Sequence, residues 1–481
     1  LALERGASVR VLPDTTPVGG AVPTSSDNAG FTRSRIELAG QAVTLADDTL
    51  VQAPGALVRA RAGTPDYNDD PLAARTAGRT DPTARITLGD GAVIDVAGTR
   101  DTQVSVARQF VTTEPLGSND LKDAPLQKLG PLFGSRVTFD LRRAVPILGS
   151  TAAYQQAVER SASERLSGGG EVRLESTGAV ATHERSRIDV SGGEVRYGAA
   201  LVQPTLLIAQ DGSRVSLNDA AADMRYTAVD GIDRYFSARA ADGSRKPLQD
   251  RWGVVTRYSA ALGDRLEPGY VEGRAGGALL VTAPQAVLDG TLQGQTVQGE
   301  RQRTGADALA AASRFSLGRL DNGGAFGSSN FAGTGVETAL RLVAAPDSLG
   351  SGFWQAPLDT TLPADNSRVA ASTLAAAGFG QISLATDGNL ATDPDATLSL
   401  PPLASLSLAA RGAQGLTLAG TVQAAGGTVR LQTADRSTPD GSSNPAGDLT
   451  LGAGATLDLA GRVLNLLQDG SVSPWPLAGG S

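Results

Sequence analysis

GDLTLGAGATLDLAG, residues 447–461, holds two short apolar pulses, Leu449–Leu451 and Leu457–Leu459, around a small-residue turn, and a glycine closes it. The phrase recurs as RITLGDGAVIDVAG (85–98), HERSRIDVSGG (183–193) and SRIELAGQAVTLAD (34–47). From 380 to 461 the triplets ISL, LSL, LSL, LTL, VRL, LTL and LDL begin at Ile382, Leu398, Leu406, Leu416, Val429, Leu449 and Leu457. Apolar–polar–apolar alternation over three residues predicts short strands with one buried face. The Gly, Ala, Asn, Asp and Pro between them supply the backbone angles that tight corners need. Ile382 to Leu406 is 24 residues, Leu406 to Val429 is 23 and Val429 to Leu449 is 20. A period in the low twenties with two or three strands per repeat predicts an all-β chain wound as a parallel β-helix, each coil burying its apolar face against its neighbours. Antiparallel sandwiches rank lower, because two-residue Asn-Gly or Asp-Gly hairpins rarely join the triplets.

The composition fits such a stack. The 481 residues allow about two to four ordinary domains or one large repetitive one. Hydrophobic residues are 41% without glycine, and the 59 glycines bring the chain into the globular range. Aromatics are only 4%, so a core of Leu, Val and Ala in narrow layers is expected. Net charge is −8, and the basic residues are arginine apart from Lys122, Lys128 and Lys246. No basic stripe offers to neutralise phosphates, which argues against nucleic acid as a partner. No apolar run reaches the roughly 18–20 residues of a membrane helix, so no membrane span is expected. The absence of cysteine excludes disulfides, thiolate metal sites and cysteine nucleophiles. It also suits a chain threaded unfolded through a pore. The chain starts inside a patterned segment, LALERGASVRVLPD, which reads as a piece of a longer protein.

The rhythm holds over 1–98, 167–193, 276–299 and 376–481, which are expected to be coils. It breaks at 99–166, where TAAYQQAVERSASERLS (151–167) reads as a short helix, at 194–275, and at 300–375, where ADALAAASRF (306–315) reads as a helical turn. These three stretches read as loops or small subdomains projecting from the solenoid.

Five blocks carry a resemblance: IDVAGTRDTQVSVARQF (94–110), LKDAPLQKLGPLFGSRVTFDLR (121–142), SRIDVSGGEVRYG (186–198), GYVEGRAGGALLVTAPQAVLDGTLQGQTVQGERQR (269–303) and GDLTLGAGATLDLAGR (447–462). With them the chain resembles the large filamentous-haemagglutinin-type exoproteins of Gram-negative two-partner secretion, in the region of unknown function of their long members. The 121–142 and 269–303 blocks are the more specific, since no structural rule demands them. The resemblance implies a right-handed parallel β-helix, secreted and cell-surface-associated. It also implies export by an outer-membrane partner transporter that recognises a secretion domain outside this stretch, and adhesion to a host-cell glycan or protein. It supplies no catalytic residue, metal or cofactor. Two alternatives stand beside it: a β-helical polysaccharide lyase or hydrolase, and a passive stalk for a distal effector domain.

Candidate residues are few. His183, the one histidine, sits in ATHERSRIDV and reads as an exposed turn residue. Asp95, Asp189 and Asp458 share one slot of the phrase, and Asp289 in AVLDG is similar. They read either as a carboxylate row for calcium or polysaccharide chemistry, or as strand-edge aspartates facing water. Their separation in sequence implies no adjacency. DYNDDP (66–71) imitates a calcium loop through Asp66, Asn68 and Asp70 but lacks its glycine and glutamate. The binding candidates are Tyr197, Tyr226, Tyr235, Trp252, Tyr258 and Tyr270, with Arg225, Arg234, Arg251 and Arg257 nearby in sequence. Rings with polar tips are enriched at recognition surfaces. Exposure of Tyr197–Tyr270 in one patch would separate a binding surface from a stalk.

Overall fold

A computed structural model describes the chain except for residues 64–80, 82, 116–120, 129, 231–235, 240–244, 248–264, 303–308, 321–335, 356–361, 363–365, 438–442, 462, 466–473 and 477–481. The chain is mostly β, with long parallel sheets. The first sheet runs Arg35–Gly40, Leu57–Ala62, Glu171–Ser176, Ala278–Thr282, Arg314–Leu317, Gln381–Thr386, Ser405–Ala410, Thr428–Thr433, every pair parallel. Its register puts Ile36, Val58, Val172, Leu279, Phe315, Ile382, Leu406 and Val429 side by side. The period-two pattern thus becomes one apolar row along the sheet's inner face, with Val58, Val172, Leu279 and Phe315 fully buried.

Each passage through the first sheet is followed by one through a ten-stranded parallel sheet. In its middle the order is Gln285–Leu288, Asn366–Ala370, Ala339–Val343, Leu390–Thr392. Third comes Leu50–Gln52, Val93–Asp95, Arg187–Asp189 and Thr291–Gln293 in one sheet, and Thr397–Ser399, Thr421–Gln423 and Thr456–Asp458 in another. Between these two the helix Ala371–Ala377 packs on both Thr291–Gln293 and Thr397–Ser399, taking the place a strand has elsewhere. It buries Ala371, Leu374 and Ala377, small enough at two of three positions to fit the layer. One apolar core joins all these faces.

Each of the seven triplets of 382–459 falls on a strand, with Leu400 and Leu459 one residue past the strand end, but the interval from Val429 to Leu449 is not a repeat. Val429 belongs to the first sheet and Leu449 to the second, where it stands opposite Leu416. The 434–448 stretch lengthens that turn of the chain. The 300–375 region also departs from the expected excursion: Phe315, Leu317 and Val369 are fully buried core residues. The described part of ADALAAASRF is not helical and ends in the strand Arg314–Leu317, which places Phe315 in the apolar row.

Residues 99–166 and 194–275 leave the stack at the same corner, between the third and first sheets, in consecutive turns. Glycines let these corners touch: a Cβ on Gly277 would lie 1.8 Å from the Gly170 carbonyl oxygen. Because they emerge one above the other, the excursions fold together. Leu121, Leu132, Phe139, Ile147, Leu207, Leu217 and Tyr226 form a second core drawn from both. Asp140 N–H donates to Asn218 Oδ1 at 3.0 Å, and Asn218 Nδ2 donates back to the Asp140 carbonyl at 2.8 Å. The short helix expected in 151–167 is present as Ala152–Ala157. No described helix is long and apolar enough to cross a membrane.

Candidate functional site

The subdomain that the two excursions form together meets the stack along a small sheet of Thr102–Ser105, Glu194–Gly198 and Tyr270–Gly273. Tyr197 stands directly opposite Tyr270 in the antiparallel pair, and the rings stack at 4.7 Å between centroids. A cleft of about 330 Å³ opens beside them, with Arg108, Arg142, Arg160, Arg274 and Arg301 in its walls together with Glu272 and Gln302.

Arg142 is the centre of this cleft. Its side chain is 7% exposed, and its charge centre lies 5.3 Å from the Tyr270 ring and 5.6 Å from Phe110. Nε donates to Asp140 Oδ1 at 2.8 Å, while Nη2 donates to Asp140 Oδ2 at 2.6 Å and to Glu267 Oε1 at 2.7 Å. Nη1 is buried with no hydrogen-bond partner. Burial works against the charge, but the hydrogen bonds that Arg142 donates to Asp140 and Glu267 outweigh it and raise the Arg142 pKa. Arg301 reaches the same ring from the stack, 4.8 Å from the Tyr270 centroid. Gln302 fixes its segment: Oε1 accepts the N–H of Gly273 at 2.8 Å and of Gly299 at 2.6 Å, and Nε2 donates to the Gly273 carbonyl at 3.0 Å. Arg274 is held by Glu272 at 2.9 Å and by the Ser167 hydroxyl at 3.1 Å.

Burial pushes the Tyr270 hydroxyl up to about 12, against the pull of the Arg142 guanidinium. Burial raises Tyr197 as well, with Glu272 and Tyr270 adding to it. Both phenols are therefore neutral near pH 7, able to donate and accept. The two rings, however, cover each other, and the Arg142 and Arg301 guanidinium groups lie over Tyr270. What the cleft offers a ligand is guanidinium N–H and phenol O–H rather than a bare ring on which a sugar stacks.

Of the six aromatic candidates, Tyr197 and Tyr270 come together here. Tyr226 is 6% exposed in the second core, its hydroxyl donating to the Ala221 carbonyl, and so does not join them. Tyr235, Trp252 and Tyr258 lie outside the described residues, as do Arg234, Arg251, Arg257 and the DYNDDP stretch. Arg225 is exposed. The arginines that matter, Arg142 and Arg301, lie in neither neighbourhood singled out by the tyrosines. Their signal was the 121–142 and 269–303 blocks, which need no structural rule and which converge at this cleft.

The aspartate row has a structural account. Asp95 and Asp189 are direct neighbours in register, despite their distance in sequence. Asp95 Oδ1 accepts the N–H of Ala97 at 3.1 Å, Asp189 Oδ1 that of Ser191 at 2.9 Å, and Asp458 Oδ1 that of Ala460 at 3.1 Å. In all three phrases the aspartate closes a turn onto its own backbone two residues on. Asp189 is also 8% exposed, so it does not face water. Asp289 is buried and paired with Arg368. His183 differs from its expected exposure: its side chain is 16% exposed and packs edge-on to Trp354 at 5.1 Å, with Asp90 3.7 Å away. Among the described residues no group of three or more His, Cys, Asp or Glu is placed to hold a metal ion. Comparison of the chain with family models, curated proteins and solved structures finds no match.

Proposed function

We propose that this chain is a segment of a secreted, cell-surface-associated adhesin of the filamentous-haemagglutinin type, its sheets forming a right-handed parallel β-helical shaft. The register from Ile36 to Val429 through eight parallel strands supports the shaft, since stacked turns bury what one turn leaves open. The handedness follows the general rule for crossovers between parallel strands. Export through an outer-membrane partner transporter, by way of a secretion domain elsewhere in the protein, belongs to the same reading. The function is adhesion rather than catalysis. The shaft carries a laterally mounted subdomain whose cleft engages a host-cell or surface ligand, and many weak contacts add avidity.

The single observation that carries the binding role is the cleft itself. It forms only where the repeat is interrupted, it gathers five arginines and two phenols, and it leaves one buried guanidinium nitrogen unpartnered. Binding of the whole chain to a glycan and host-cell panel at physiological salt, with the supernatant assayed for released sugar, tests the reading. Saturable binding without release is the expected result; released sugar overturns it in favour of an enzyme. A passive stalk is favoured by the burial of Tyr197 in its own small apolar cluster and of Tyr226 in the second core. Absence of binding across the panel selects that reading.

A further inference from the structure

Arg108 lines two hollows. One is the arginine cleft; the other, of about 760 Å³, lies beside Thr99–Ser105 and is walled opposite by Thr15, Thr24, Ser161 and Ser163. The Arg108–Glu164 ion pair stands where they adjoin, with Glu164 almost wholly buried. The two hollows differ in chemistry. The larger presents hydroxyl groups with Pro13, Val22 and Val104, beside the opposite charges of Arg100 and Asp101 and of Arg108 and Glu164, a mixed wall for sugar units, whose faces are apolar and whose rims are hydroxyls. The smaller presents guanidinium groups. Arg142 and Arg301 of its wall, together with Arg265, converge on Asp140 and Glu267, and Glu272 is the one carboxylate in a wall that carries five arginines. A buried N–H group without an acceptor costs about 1–3 kcal/mol, and Arg142 Nη1 is such a group. An oxyanion supplied by a ligand satisfies both the donor and the surplus charge.

We infer that the two hollows form one extended site for a linear acidic oligosaccharide. An acidic unit places its oxyanion against Arg142 and Arg301, and neighbouring units run past Arg108 into the hydroxyl-lined hollow. This rests on the binding reading above and adds the ligand class and its direction. The smaller cleft, at about 330 Å³, has room for a single small ligand; the two together suit a short chain.

The test is calorimetric titration of the whole chain at physiological salt with four probes: tetragalacturonate, galacturonic acid, neutral galactotetraose and inorganic sulfate. Tetragalacturonate is expected to bind about tenfold or more tighter than either galacturonic acid or galactotetraose. Arg301→Gln is expected to weaken both acidic probes about tenfold. Gln103→Trp, on the exposed edge of the larger hollow, should bring tetragalacturonate down to the affinity of the monomer and leave the monomer unchanged. Sulfate that competes with galacturonic acid supports recognition of the oxyanion; sulfate that binds where tetragalacturonate does not overturns the saccharide. Equal affinity for the acidic and neutral tetramers, or indifference to both substitutions, overturns the site. If panel binding persists unchanged in both variants, the adhesin reading stands and this site falls; if the whole chain binds nothing, both fall.

Discussion

Tyr197 and Tyr270 stack across paired antiparallel strands, with centroids 4.7 Å apart and ring planes within 16°. One ring comes from each end of the 194–275 excursion, so the stack closes its base. The consequence for pH is specific. The ordinary tyrosine value is 10.0, and Tyr270 is pushed up to about 12 by burial. Across that window the unfolded chain has lost this proton while the folded chain retains it. The folded state binds more protons, so stability present below about pH 10 declines as pH rises towards about 12. Tyr270→Phe is expected to flatten part of that decline, read as denaturant midpoints at about pH 9 and about pH 11.5. Identical slopes for the two proteins would show that Tyr270 is not the group responsible.

Asp189 is expected to matter as a hydrogen-bond acceptor and not as a charge. Asp189→Asn keeps an oxygen for the Ser191 N–H and should change stability by less than about 1 kcal/mol. Asp189→Ala leaves that buried N–H unmet and should lose about 1–3 kcal/mol. Urea melts of the two variants decide it. Equal losses would return the carboxylate charge to consideration.

Gly277→Ala places a methyl group 1.8 Å from the Gly170 carbonyl oxygen, backbone against backbone, and the corner must open. A loss of about 1–3 kcal/mol is expected. Gly350→Ala is the control: its Cβ meets nothing within 4 Å, and the change should be neutral or slightly stabilising. Thermal melts that rank the two alike would contradict the close stacking of corners.

Arg368 Nη2 donates to Asp289 Oδ2 at 3.0 Å, and the Asp289 side chain is 2% exposed. Burial raises the Asp289 pKa even with Arg368 beside it. Arg368→Met leaves the carboxylate buried without its cation, and should cost about 3–5 kcal/mol near pH 7. A raised folded pKa means that stability is recovered as pH falls and the carboxyl takes up its proton. The gap to the parent chain should therefore narrow in acid. Midpoints measured near pH 7 and near pH 5 check this, and a constant gap would place the loss in packing instead.

The strands were legible because they are local. Alternation at Ile382, Leu384, Leu406 and Leu408 needs no knowledge of the partner, and the 24-residue step between them is one turn of the stack. The aspartate and glycine of IDVSGG and IDVAG were visible as a repeated phrase, but their purposes were not. The aspartate closes a turn and the glycines admit a neighbouring corner, and each purpose needs the next turn in place. The second-sheet order around Ala339–Val343 and Asn366–Ala370, and the helix Ala371–Ala377 standing in for a strand, were illegible for the same reason.

The sequence alone determined the all-β character, the short strand length, the parallel pairing implied by the period and the absence of thiol chemistry, since each depends on neighbours a few residues apart or on composition. Tertiary structure decided where the interruptions go. Two excursions leave one corner in consecutive turns, share a core, and carry Arg142 and Tyr270 to one cleft that Arg301 reaches from the stack, from positions far apart in the chain. The physical reason is that stacking register, not local propensity, sets which corners are adjacent and so which distant side chains meet.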